Sequence, residues 1–254
     1  MDALPPEILT ALALVALVAG FVDAIAGGGG LLTLPALLWA GLPPAIALGT
    51  NKLQGTFGTA SATIHFLRRD KLALRPLLPA AVASFAGSIG GSLLVSRVDP
   101  DTLRWLLPAL LLAFALYFLR SPRVGDRPSP RRLGPVAFAG TAGLGIGFYD
   151  GFFGPGAGSF FALAFVALLG DDLARATGGS KLLNFASNLA ALLVFASGGH
   201  VLWPVGLVMA AGQWVGAWLG AHLAIRHGAR LIRPLLVAVS ALLSAKLLVE
   251  QLGA

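Results

Sequence analysis

The chain has no cysteine, so disulfides, thiolate metal centres and persulfide chemistry are all excluded. Its four histidines, His65, His200, His222 and His227, are not spaced as metal ligands, and neither a metal nor a cofactor is implied. Charge is scarce as well: Asp, Glu, Lys and Arg make up 11% of the 254 residues, against 57% hydrophobic residues and a mean hydropathy of +0.84. No soluble domain of this length has interior enough for that much apolar surface, so the chain reads as an integral membrane protein. Nucleotide fingerprints are missing: no Gly-x-Gly-x-x-Gly follows a strand-like run, and no glycine-rich loop ends in Gly-Lys-Ser or Gly-Lys-Thr. Nor is there the alternation, with a turn every ~10 residues, that marks an outer-membrane barrel. Helices are the remaining solution.

Apolar runs are what the chain does contain, at about 8–26, 31–42, 45–67, 72–96, 102–119, 135–153, 157–170, 173–197, 201–225 and 231–249. The longer ones reach the ~20 residues a spanning helix needs, whereas 31–42 and 157–170 are too short to span alone. The net charge is +7, but the cations sit in clusters between the runs, which makes them topology determinants rather than a nucleic-acid face. The opening Met-Asp has no Lys or Arg before the first run, unlike a cleaved leader, so the first segment is expected to stay.

Part of the sequence is written twice. Gly20 to Gly27, running on to Asn51-Lys52-Leu53, parallels Gly147 to Gly154, running on to Ser180-Lys181-Leu182. Asp150 follows Asp23 by 127 residues and Lys181 follows Lys52 by 129, so two residues are inserted in the second short helix or its loop. At 129, Phe66, Gly87, Gly91, Arg97 and Arg104 fall on Phe195, Gly216, Gly220, Arg226 and Arg233. Two halves follow, 5–119 and 135–252, joined by the connector 120–134.

The connector carries Arg120, Arg123, Arg127, Arg131 and Arg132 against Asp126, which places it on the cytoplasmic side. Loop 68–75 is +3 while its counterpart 197–204 holds only His200, and loop 226–233 is +3 while its counterpart 97–104 is neutral. Corresponding loops on opposite faces are the mark of an inverted-topology repeat. The expected fold is therefore an all-α polytopic membrane protein of about 8–10 membrane segments. Each half has five segments in the simplest arrangement, the second one short. A parallel four-plus-four arrangement with re-entrant short helices is the alternative.

Each half sets an acid, a glycine-rich break and a lysine inside apolar segments, where charge is costly and marks function. Gly27-Gly28-Gly29-Gly30 precedes one short helix and Gly154-Pro155-Gly156-Ala157-Gly158 the other. Such stretches unwind, which membrane depth tolerates only beside protein or a water-filled cavity. A helix starting there aims free N–H groups and a positive dipole end at an anion. Lys52 and Lys181 can add a cation, and Thr50, Asn51, Gln54, Ser180 and Asn184 neutral donors. The candidate substrate-binding set is thus Gly28, Gly29, Gly30, Thr50, Asn51, Lys52, Gln54, Gly156, Gly158, Ser159, Ser180, Lys181 and Asn184. Asp23 and Asp150 are the candidate proton carriers. The competing reading for the charges is structural, Asp23 paired with Lys52 and Asp150 with Lys181 inside each half.

Other features have plainer readings. His65, beside Arg68 and Arg69, is an alternative proton carrier but is expected at the interface. Ala83, Gly87, Gly91 and their matches Gly212, Gly216, Gly220 allow close helix approach within the bundle or at a homodimer seam. Trp39, Trp105, Trp203, Trp214 and Trp218 read as interface anchors.

At these residues the chain resembles the sulfite exporter TauE/SafE family of membrane permeases. The resemblance lies in Gly-Gly-Gly-Gly-x-Leu-x-x-Pro at 27–35 and Gly-Thr-Asn-Lys at 49–52. It continues in Gly-x-x-Asp-Gly-x-x-Gly-Pro-Gly-x-Gly-Ser-Phe at 147–160 and Ser-Lys at 180–181. It implies a multi-pass permease of a prokaryotic inner membrane, often an exporter, for sulfur-containing oxyanions such as sulfite or organosulfonates, driven by the proton gradient. Its partners would be a small anion and the lipid bilayer, with no nucleic acid and no enzymatic activity. A permease for another small organic anion, or an anion channel, is the alternative.

Overall fold

Proline and glycine punctuate the chain in a computed structural model that describes residues 4–69, 72–120 and 130–227. Helix α1, Pro6–Ala26, and α3, Pro44–Arg68, each start with proline in the first turn, where the missing N–H costs nothing. Helix α1 stops at Gly27, whose φ of 72° is left-handed, a conformation glycine adopts freely. Between them lies the short α2, Gly30–Trp39. Then come α4, Leu74–Val95, and α5, Pro100–Arg120.

The second half repeats the order. Helix α6, Pro135–Phe138, continues through a π-helical turn, Ala139–Gly143, into α7, Leu144–Phe152. The short α8, Ala157–Ala164, also runs on into a π turn, Phe165–Leu169. Next is α9, Leu173–Ser197, whose N-cap Asp172 side chain accepts from Arg175 N, and then α10, Trp203–His227. The π turn after α8 explains the two inserted residues. From helix start to the next helix, α2 and its loop take residues 30–43, and α8 with its π turn and loop 157–172. A π turn absorbs extra chain without ending the helix.

No strand occurs among the described residues. Four described helices are long and apolar enough to cross a membrane: Pro6–Ala26, Leu74–Val95, Ala174–Ser197 and Trp203–Ile225. The chain is thus an all-α polytopic membrane protein. The tenth apolar run, at 231–249, lies outside the described residues, as do Arg230, Arg233, Asp70, Lys71 and residues 121–129 of the connector.

The fourth helix of each half packs on the other half. Helix α4 lies against α7 and α9, while α10 lies against α1 and α3, and α3 meets α9 in the centre. Glycine makes both contacts close. A Cβ on Gly87 would sit 2.9 Å from Phe148 N and 3.1 Å from Leu144 C; one on Gly216 would sit 3.0 Å from Phe21 N and 2.8 Å from Leu17 C. These are the same contact shifted by the two offsets. The small-residue stripes are therefore spent inside the bundle, where they let backbones approach. Helix α4 adds a ladder of hydroxyls: Ser84 donates to Leu183 O at 2.9 Å, Ser88 to Ser187 O at 2.6 Å and Ser92 to Gly151 O at 3.1 Å. Large apolar side chains such as Leu14, Val18, Val82, Leu94, Leu207 and Leu219 face outward, where hydrocarbon rather than water would cover them.

Candidate transport site

Both glycine breaks unwind where α1 and α7 end, and they meet back to back. Gly27, Gly154 and Gly156 have φ of 72°, 99° and 86°. A Cβ on Gly158 would stand 3.0 Å from Gly27 Cα, and one on Gly30 3.1 Å from Pro155 Cα. Ser159 ties the breaks together, its hydroxyl donating to Ala26 O at 2.6 Å and also to Gly27 O.

The ion pairs cross between the halves. Lys52 Nζ reaches Asp150 Oδ1 at 2.7 Å, and Lys181 Nζ reaches Asp23 Oδ2 at 3.1 Å. Each ammonium also donates to the backbone carbonyl of the acid it pairs with. The expected pairing inside each half, Asp23 with Lys52 and Asp150 with Lys181, does not form. With α3 against α9 and the two breaks in contact, each lysine meets the opposite half's break first. All four groups are buried, with 1% of Lys52, 0% of Lys181, 1% of Asp150 and 8% of Asp23 exposed. Removing one member of such a pair leaves a bare charge, at a cost of about 3–5 kcal/mol. Two ammoniums and two carboxylates bring the site to formal neutrality.

The acids are held differently. Asp23 Oδ1 accepts from Gly28 N at 3.0 Å and Gly29 N at 3.1 Å. Five residues beyond Asp150 stands Pro155, which has no N–H to offer. Asp150 Oδ2 accepts instead from the Ser187 hydroxyl on α9, a position that corresponds to Gly58 in the first half.

Between the breaks lies a cavity of ≈ 30 Å³, room for about two waters. Among the expected site residues, Asp23, Gly30, Asn51, Lys52, Gln54, Asp150, Gly156, Gly158 and Asn184 line it. The rest lie off its walls. Gly28 and Gly29 are engaged with Asp23, Thr50 Oγ1 accepts from Leu202 N at 3.0 Å, and Ser180 donates to Thr177 O at 2.8 Å. Ser159 clasps the first break, and Lys181 stands behind Asp23. Thr59, Asn188 and Gln213 line the cavity too. Thr59 could have been found from its spacing, seven residues past Lys52 on one helix face. Gln213 was visible as a lone amide inside the α10 small-residue stripe. Nothing in sequence spacing pointed to Ser187.

Polar capacity at the cavity is only partly used. Gln54 Nε2 donates to Thr33 Oγ1 at 3.0 Å and Asn51 Oδ1 at 2.8 Å, but its Oε1, like that of Gln213, is buried with no hydrogen-bond partner. Helix α8 starts at Gly156 with no side-chain cap, and Gly156, Ala157 and Gly158 face the cavity. Of the corresponding N–H groups in the first break, Gly29 N is occupied by Asp23 and Leu31 N by Gly28 O. Away from this site, His65 is buried in the last turn of α3: its ring packs edge-on against Trp218 with centroids 4.7 Å apart, and its Nε2 has no partner.

Spanning helices, two mid-chain breaks and buried charges around a small cavity define a multi-pass membrane protein of the transporter class. The family model for "Sulfite exporter TauE/SafE" matches residues 12–247. "Probable membrane transporter protein YfcA" of Escherichia coli (strain K12) is 52% identical over 248 residues, covering 98% of this chain and 92% of that protein. "Probable membrane transporter protein ORF9" of Sinorhizobium sp is 49% identical over 250 residues, covering 98% and 96%. A "Probable membrane transporter protein" of Haemophilus influenzae is 47% identical over 245 residues, covering 96% of each. No solved structure matches the chain. The chain belongs to the sulfite exporter TauE/SafE family of membrane transporters.

Proposed function

We propose that the chain is a proton-coupled secondary transporter that exports small sulfur-containing oxyanions, sulfite or an organosulfonate, across a prokaryotic inner membrane. The observation that carries this reading is the convergence of Lys52 with the uncapped start of α8, Asn184, Asn188 and the Gln213 amide on one buried cavity. These groups offer one compact cation and several neutral donors, which suits a small oxyanion. The first break supplies an internal example, because the Asp23 carboxylate rests on Gly28 N, Gly29 N and Lys181 Nζ as a bound anion would.

The cavity holds about two waters, so in this conformation the surrounding helices must part before an anion fits. Alternating access about a midplane site, with the repeats in inverted topology, accounts for the loop charges and the matched contacts together. An anion channel would need a continuous polar path, and a cavity this small favours the carrier. The function test is sulfite efflux from proteoliposomes. Wild type should carry sulfite in a ΔpH-dependent manner, and Lys52→Ala should stop it. Unchanged flux in both Lys52→Ala and Lys181→Ala would remove the lysines from the mechanism.

A further inference from the structure

The two acids occupy equivalent positions, yet their oxygens face different kinds of partner. Asp23 Oδ1 faces the N–H groups of Gly28 and Gly29, and Oδ2 faces the Lys181 ammonium. All three are donors and none can accept. A proton on either oxygen would meet a donor head-on, so the surroundings of Asp23 hold no acceptor for one. Asp150 Oδ1 faces the Lys52 ammonium at 2.7 Å, but Oδ2 faces the Ser187 hydroxyl, which can donate or accept. That hydroxyl already lies within reach of two other acceptors, Leu183 O and Asn184 O, each at 3.1 Å. It can turn its hydrogen to either and present a lone pair to a protonated Oδ2.

We infer that Asp150 alone carries the coupling proton, and that each proton accompanies one monovalent anion in an electroneutral step, so that export runs when the outward gradient of the anion exceeds the inward gradient of protons. The inference rests on the proton-coupled reading above. A proton from the aqueous phase binds Asp150 Oδ2, the Ser187 hydroxyl turns to a backbone carbonyl, and the neutral acid releases Lys52. The anion then takes the place of the carboxylate at Lys52 Nζ. Lys52, Lys181, Asp23 and the anion sum to zero, as the four side chains do when the site is empty. Release on the other side reverses each step and returns the proton to water.

Few other charges face Asp150. From α3 it meets Lys52, and the Asp23–Lys181 pair lies across the cavity. Helix α9 offers Ser187 and Asn184, α4 only the hydroxyls of Ser84, Ser88 and Ser92, and α8 no ionisable residue. Tyr149, on its own helix, donates its hydroxyl to Pro155 O.

Three measurements on the purified protein test this. In a pH-difference infrared spectrum, wild type should show the carbonyl stretch of a protonated carboxylic acid, lost in Asp150→Asn. Persistence of that band in Asp150→Asn would overturn the inference. This readout needs no substrate: if the band behaves as expected but wild type carries no sulfite, the substrate reading fails and the proton assignment stands. In sulfite-loaded proteoliposomes, Asp150→Asn should keep counterflow exchange and lose ΔpH-driven accumulation, because asparagine imitates the protonated acid toward both Lys52 and Ser187. Wild-type flux that responds to membrane potential in the absence of ΔpH would overturn the electroneutral step. Asp23→Asn must turn an amide NH2 toward Lys181 or toward two backbone donors, so its thermal stability should fall well below that of Asp150→Asn; equal stability would refute the distinction.

Discussion

An alanine at Gly87 probes the helix exchange directly. Its methyl would lie 2.9 Å from Phe148 N and 3.1 Å from Leu144 C, whereas carbon contacts settle near ~3.5–4.0 Å. Both neighbours are helical backbone and cannot swing aside as a side chain would, so α4 and α7 must separate. Overpacking of this kind costs about 1–3 kcal/mol. Gly216→Ala meets Leu17 C at 2.8 Å and Phe21 N at 3.0 Å, so α10 against α1 should lose the same amount, within ~0.5 kcal/mol. Gly145→Ala is the control: it is exposed, nothing lies within 4 Å of its Cβ position, and alanine should stabilise the helix by up to ~1 kcal/mol. The measurement is unfolding free energy in mixed micelles, titrated with a denaturing detergent and followed by tryptophan fluorescence. If Gly87→Ala cost no more than Gly145→Ala, the close contact would not exist. A large loss for one of the matched pair and none for the other would refute the equivalence of the two seams.

Three further outcomes are expected. Lys52→Ala and Asp150→Ala should each cost about 3–5 kcal/mol and the double variant clearly less than their sum; Lys52→Ala with Asp23→Ala should show no such rescue in the same assay. Gly154→Ala combines a φ of 99° with a Cβ 2.6 Å from Lys52 Nζ, so it should lose both stability and sulfite flux. Gly41→Ala, at φ 84° with nothing within 4 Å, should lose only the ~1–2 kcal/mol of left-handed backbone and keep flux. Ser88→Ala removes a buried hydroxyl from Ser187 O and should destabilise by about 0.5–1.5 kcal/mol, with flux retained.

Helix positions were legible from apolar runs because a bilayer imposes length and composition on every crossing. The breaks were legible because glycine and proline act through local backbone conformation, as Gly27, Gly154 and Gly156 show. The partners of Lys52 and Lys181 were not. A duplication says which positions correspond, but not which faces of the two copies touch, and the pairs cross for that reason. Ser187 escaped notice because its role depends on Pro155 lacking an N–H some thirty residues away, a compensation that exists only in three dimensions. The cover that α10 places over His65, with Trp218 and His222, was not legible from its neighbours Arg68 and Arg69. The location of the two inserted residues was narrowed by arithmetic, and the π turn at Phe165–Leu169 supplied the means of accommodating them.

The exchange of α4 and α10 also bears on how the protein would move. On the alternating-access reading, the bodies that part would not be the two stretches of chain that duplication produced. One body is α1 and α3 with α10, the other α7 and α9 with α4, and each is a composite of early and late chain. Among the described residues, hinges would then belong where the backbone passes from one body to the other: residues 96–99 between α4 and α5, which packs on α2 and α3, and residues 198–202 between α9 and α10. Cutting the chain in the connector would not give two independent pieces; each fragment would expose the groove its missing helix fills, and function would return only when the two are made together and interlace.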